Sequence, residues 1–165
     1  MQKSTTANKM TIRILKKQSP AKHVVTYLRE GFPDHWMFAD DFLVLHDLSH
    51  FAIEKTLQYE SAFWGLVKQG INPEVFENKQ QRDLLTLSNE AWYAEHLANL
   101  FLMELSQGPF ENIQEVLAST IGQTHPQLPL PTYSDEMIET IRIYYKKWVE
   151  AWRALPPNES LAIHF

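Results

Sequence analysis

Cysteine is absent from this 165-residue chain, which excludes disulfides, thiolate metal sites and cysteine nucleophiles. Any metal ligand must therefore come from His, Asp or Glu. No stretch approaches the roughly 20 consecutive apolar residues that a membrane span needs. Met1 to Lys9 is polar and lacks the apolar core of a signal peptide. The expectation is a cytoplasmic protein with no membrane partner. Glycine is scarce, with five residues, and none forms a phosphate-cradling loop, a Gly-x-Ser-x-Gly elbow or a dinucleotide fingerprint. Nucleotide binding and serine-hydrolase chemistry are disfavoured on that ground.

What the chain does contain is aromatic. Five Trp, six Tyr and nine Phe point to an aromatic core or ligand cleft. Hydrophobic content of 44% and charged content of 21% are those of an ordinary globular protein, and the length suits one domain. Net charge is −5, unevenly spread: the first 30 residues carry seven Lys/Arg against Glu30, leaving +6 there and −11 on the rest. A basic strand edge blunted against aggregation accounts for this asymmetry. No nucleic-acid motif accompanies it, so no nucleic-acid partner is expected.

Residues 1–9 read as a disordered tail and 10–165 as a single globular domain. Met10 to Lys16 alternates apolar and polar residues like a half-buried strand, and His23 to Arg29 is β-branched and aromatic enough to pair with it as a hairpin. Asp40 and Asp41 supply N-cap chemistry for a helix running to about Gln58. Further helices are predicted over Ser61–Gln69, Gln81–Ser106 and Glu111–Ile121, with Gly122 ending the last of these. After the Pro-rich connection 123–132, Ser134 caps a final helix with a stripe of Ile138, Ile141, Tyr145, Trp148 and Trp152. Leu161 to Phe165 alternates again and is expected to add a third strand to the hairpin. The fold class is α+β and mainly helical, with about five helices packed on a small antiparallel sheet.

The chemistry concentrates in Phe42 to Glu54. His46, His50 and Glu54 recur every four residues, so a helix stacks them on one face. Apolar residues surround them on nearly every side, and buried imidazoles and carboxylates must be compensated. The segment His46-Asp47-Leu48-Ser49-His50 resembles the zincin signature His-Glu-x-x-His, with Asp in place of Glu. Two imidazoles one turn apart reach a Zn²⁺ at roughly 2.0–2.1 Å each. The resemblance implies a hydrolase whose metal-bound water is activated by the neighbouring acid. Asp47 is one methylene shorter than that Glu, and Glu54 is the other candidate for the base.

A third ligand is required. At about 100° per residue, Leu84, Ala91, Glu95, Ala98 and Leu102 fall in one arc of the long helix, placing Glu95 on its apolar face while Glu90 and Glu104 point away. The expected metal ligands are thus His46, His50 and Glu95, holding zinc or another divalent ion. Two alternatives stand beside this. The same residues suit a buried hydrogen-bond network in a non-enzymatic structural or protein-interaction domain, a homo-oligomer being one form of it. They also suit a small-molecule or peptide cleft lined by Trp36, Trp64, Trp92 and the histidines.

The chain as a whole resembles an uncharacterised family of small bacterial proteins. The likeness rests on His46 to Glu54, on Ala62-Phe63-Trp64-Gly65-Leu66, and on Trp152-Arg153-Ala154-Leu155-Pro156-Pro157 with the terminal strand. It implies bacterial origin and this arrangement of elements, and brings no established activity.

Overall fold

A computed structural model of the protein describes residues 8–165. Residues 1–7 of the expected tail lie outside the described residues, whereas Lys9 already accepts a backbone hydrogen bond from Glu30 at 3.2 Å. The chain order is β1 (Met10–Leu15), β2 (His23–Arg29), β3 (His35–Ala39), α1 (Asp41–Leu57), α2 (Phe63–Lys68), α3 (Glu74–Glu77), α4 (Lys79–Asp83), α5 (Asn89–Gln107), α6 (Ile113–Thr124), α7 (Asp135–Ala154) and β4 (Ser160–His164). The architecture is α+β and mainly helical, with seven helices among the described residues where about five were expected, two of them single short turns.

The four strands form one antiparallel sheet in the order β3-β2-β1-β4. The expected hairpin pairs Ile12 with Tyr27, and the C-terminal strand lies on the other side of β1, pairing Ile12 with Ile163. Strict alternation in β1 and β2 turns Met10, Ile12, Ile14, Val25 and Tyr27 to one buried face. β3 was not anticipated. Its sequence, His-Trp-Met-Phe-Ala, alternates as well, with Ala39 buried and Trp36 and Phe38 exposed at 58% and 57%.

Helix α1 fills the centre. The Asp40 carboxylate accepts from the Leu43 amide at 2.8 Å, as an N-cap should, and Gln58 closes the helix in the left-handed region. Val44, Leu48, Phe51, Ala52 and Ile53 are all buried, because α1 packs against α5 and α7 and reaches β3 and α2. Each fully buried side chain of the larger kinds contributes about 1.5–3 kcal/mol. Helix α7 is amphipathic. Ser134 caps it, and Ile138, Ile141, Tyr145, Val149 and Trp152 are buried, with Trp148 only half-buried. Leu155 leaves the helix in an extended conformation, as the residue before Pro156 must.

Three expected boundaries move. The long helix predicted over Gln81–Ser106 is interrupted at Leu84–Ser88, and Ser88 caps a fresh start by accepting from the Ala91 amide at 3.1 Å. Leu84 consequently lies outside α5 and is 85% exposed, not part of its apolar face. Gly122 sits inside α6 instead of ending it, since the helix continues to Thr124. The segment after Asn72, expected to be irregular, winds into α3 and α4. Among the described residues, no helix is long and apolar enough to cross a membrane.

Candidate metal centre

Helix α1 presents His46, His50 and Glu54 on one face, and α5 brings Glu95 across to the first two. His50 is buried between two carboxylates: Nδ1 lies 3.2 Å from Glu54 Oε2 and Nε2 lies 3.0 Å from Glu95 Oε2. Both ring nitrogens can only donate to these partners, so the metal-free arrangement is that of an imidazolium. His46 repeats the pattern more loosely. Its Nδ1 is 3.8 Å from Asp47 Oδ1 and its Nε2 is 3.6 Å from Glu95 Oε1. The two imidazoles meet edge to face at 4.8 Å, and Phe42 stacks over His46.

One ligand atom from each of His46, His50 and Glu95 can be chosen so that all three lie within 4.8 Å of one another. Tetrahedral ligands bound to one zinc ion lie roughly 3.4 Å apart, so the set would have to draw together to enclose an ion. Glu95 is the most exposed of the three. Its side chain is 46% exposed, and Asn99 donates to it from the next turn at 3.3 Å.

Glu54 occupies a different position. Its side chain is fully buried behind His50, and Oε1 accepts from the backbone amides of Trp64 at 2.9 Å and Gly65 at 3.4 Å, in the first turn of α2. Gly65 is needed there, because a Cβ at that position would overlap the Glu60 carbonyl. With both oxygens engaged, Glu54 orients His50 and fixes which nitrogen faces Glu95. Asp47 lies instead in the wall of an adjoining pocket, buried, while its backbone carbonyl accepts from Trp64 Nε1 at 3.1 Å.

The electrostatics follow from this packing. Burial disfavours the charged form of His50, but the hydrogen bonds to Glu54 and Glu95 outweigh it and push its pKa up to about 10. Burial likewise opposes the charged form of His46, yet Asp47 and Glu95 raise its pKa. Glu95 moves the other way: against the cost of burial, its bonds from His46 and His50 hold its carboxyl well below the usual range. Burial pushes up both Asp47 and Glu54, the histidines opposing it in each case.

The pocket beside the triad has a volume of about 160 Å³. Tyr27, Met37, Leu43, Phe63, Phe76, Leu87 and Trp92 supply much of an apolar lining, and His46, Asp47, His50, Glu77, Arg82 and Glu95 its polar part. Of the aromatic residues expected around a cleft, Trp92 lines it. Trp64 is instead buried in the core and Trp36 is exposed on β3. Tyr27, Phe76, Glu77, Arg82 and Leu87 escaped sequence reasoning, since they come from a strand and a segment with no local chemical motif. Alternation in β2 was the available signal for Tyr27.

Other residues singled out in the sequence have structural positions. Glu90 accepts from the amide and hydroxyl of Ser61, and Glu104 holds Arg142 at 2.8 Å. His35 donates to Glu74, tying β3 to α3. His125 packs on Trp92 and pairs with His96 at 3.0 Å. His23 is buried; its Nδ1 accepts from the Lys17 amide and its Nε2 donates to Asp41. Tyr145 donates to the Leu45 carbonyl from the packed stripe. The chain matches no protein-family model, no curated protein and no solved structure, so what it does must be argued from this site.

Proposed function

We propose that this chain binds one divalent cation, zinc being the best match to the donors, through His46, His50 and Glu95, and presents it to a small molecule in the adjoining pocket. The observation that carries the reading is the convergence of two imidazoles and a carboxylate within 4.8 Å at a pocket wall. Support comes from Glu54. Metal-ligating histidines characteristically donate their other ring N–H to a carboxylate or carbonyl, which fixes the tautomer, and Glu54 is so placed toward His50. Three protein ligands leave a position for water or substrate, the pattern of catalytic zinc sites. An ion there would polarise a carbonyl or lower the pKa of a bound water, the chemistry of zincin-like, metal-assisted hydrolysis.

Metal analysis of protein prepared without a histidine tag tests this. Close to one equivalent of zinc is expected after incubation and dialysis, with an increase in unfolding temperature, since at a hundredfold excess over Kd a ligand adds about 2.7 kcal/mol. Less than about a tenth of an equivalent, with no thermal shift on adding zinc, would overturn the reading, because a real site stabilises by mass action.

A second reading, a buried network without metal in a non-enzymatic domain, is favoured by one specific observation. The two nitrogens of His50 are already satisfied at 3.2 and 3.0 Å. It predicts no effect of chelators on the unfolding temperature, together with a loss of a few kcal/mol on His46→Ala.

A further inference from the structure

Asp47 stands in the pocket wall with its carboxylate short of hydrogen-bond partners. Asp47 is 6% exposed, yet its carboxylate has no partner nearer than His46 Nδ1 at 3.8 Å, beyond hydrogen-bonding range. Tyr27 is wholly buried and its hydroxyl has no hydrogen-bond partner among the described residues. Most buried polar groups have a hydrogen-bond partner, and leaving one without is costly. Glu77 lines the same cavity from α3.

We propose that this pocket binds a small organic ammonium ion, its head held by Asp47 and Glu77 and its apolar body against Phe63, Phe76 and Trp92. Ionised carboxylates only accept, so a charged donor complements both at once. Aromatic faces add attraction for a cation. A cavity of about 160 Å³ suits a body the size of a benzene ring, which fits an engineered cavity of about 150 Å³.

Mutual crowding of the acids supports the sign of the ligand. After burial, the charges of Asp47, Glu74 and Glu77 are what raise the Tyr27 pKa most, and Asp47 and Glu74 do the same to Glu77. Glu74 is already engaged by His35, and His46 comes no closer to Asp47 than 3.8 Å, so among the described residues Asp47 and Glu77 make no hydrogen bond that a cation from outside would have to displace. Arg82 lines the pocket too, with Nη1 on the Phe76 carbonyl at 3.4 Å, and it is the residue an anionic ligand would need. The ammonium site depends on the pocket and not on bound metal.

Calorimetric titration of the full chain, freed of metal with EDTA at neutral pH, tests the proposal with three probes of one shape: 2-phenylethylamine, 2-phenylethanol and 3-phenylpropionate. Saturable binding of the amine is expected, with the alcohol at least about tenfold weaker, the scale of one charge-assisted hydrogen bond, and no binding of the anion. Asp47→Asn should weaken the amine by a similar factor without lowering the unfolding temperature, because Asn removes a buried charge and keeps the shape. Glu77→Gln, on a more open position, provides the same comparison if the first variant does not fold. Binding of the propionate as tight as that of the amine, no amine binding at millimolar concentration, or amine affinity unchanged in both variants would overturn the proposal. Amine binding that persists while zinc fails to bind would sink the metal reading alone; zinc binding without amine binding would sink this one alone.

Discussion

Glu54 accepts from Nδ1 of His50 at 3.2 Å while two backbone amides of α2 hold its other oxygen. This one contact locks a buried imidazole to the start of the next helix. It turns Nε2 of His50 outward to Glu95, so the orientation of the candidate ligand set is decided from behind.

Glu54→Ala should therefore be among the most damaging single changes in the chain. It strands the Trp64 and Gly65 amides and leaves His50 with half its compensation, and breaking a buried pair from one side costs about 3–5 kcal/mol. Urea denaturation of the metal-free protein measures it. The milder Glu54→Gln keeps an acceptor oxygen for the amides, and its expected mark is a 10- to 100-fold weaker zinc affinity, the usual effect of losing such an orienting partner. Unchanged zinc affinity in a folded Glu54→Gln protein would show that the contact does not tune the site.

Stability of the metal-free protein should fall as pH rises above neutrality. His50 keeps its proton to about pH 10 in the fold, against an ordinary value of 6.5. Its contribution is thus fully present below 6.5 and lost as pH climbs toward 10, because in that window the folded state binds more protons than the unfolded state. His46, Asp47 and Glu54, all raised, act in the same direction. Glu95 is depressed, so its contribution is present above its ordinary value of 4.5 and lost as pH falls below it. Denaturant midpoints from pH 5 to 10 in EDTA should decline at the alkaline end, and more weakly in His50→Gln. A flat or rising profile between pH 7 and 9 would contradict the imidazolium assignment.

Arg29 should prove structural at a distance. It is buried on β2 with no acidic partner among the described residues, and its guanidinium donates to the carbonyls of Val67 and Ile71 and to Asn72 Oδ1, while lying over Phe32. These bonds fasten the chain just before the segment that supplies Phe76, Glu77 and Arg82 to the pocket. Arg29→Met keeps the stem but orphans the acceptors, at a cost of about 1.5–3 kcal/mol for a charged hydrogen bond. Limited proteolysis should then cut preferentially within residues 72–88. Wild-type resistance there would argue that other contacts hold the segment.

Much of the site was legible because helices translate sequence spacing into direction. The interval of four placed His46 and His50 on one face of α1, and the angular position of Glu95 on α5 separated it from Glu90 and Glu104, which bond to Ser61 and Arg142. The angular argument survived although Leu84, one of its members, lies outside the helix. β3 stayed hidden since a five-residue edge strand with two exposed aromatics carries little periodic signal. The break before α5 depended on Ser88, a cap inside what reads as one continuous apolar pattern.

The sequence by itself determined the elements that repeat a period: the alternating strands β1 and β2, the buried helix α1 with its two imidazoles, and the capped amphipathic helix α7. It also determined, through the absence of cysteine, that a metal could be held only by His, Asp or Glu. Only the tertiary structure decided that Glu54 backs His50 instead of facing an ion, and that Asp47 opens into a pocket. Only it brought Tyr27, Glu77 and Trp92 together around that pocket. The physical reason is reach. Periodicity fixes where a side chain points on its own element, whereas partners from distant elements are fixed by how those elements pack.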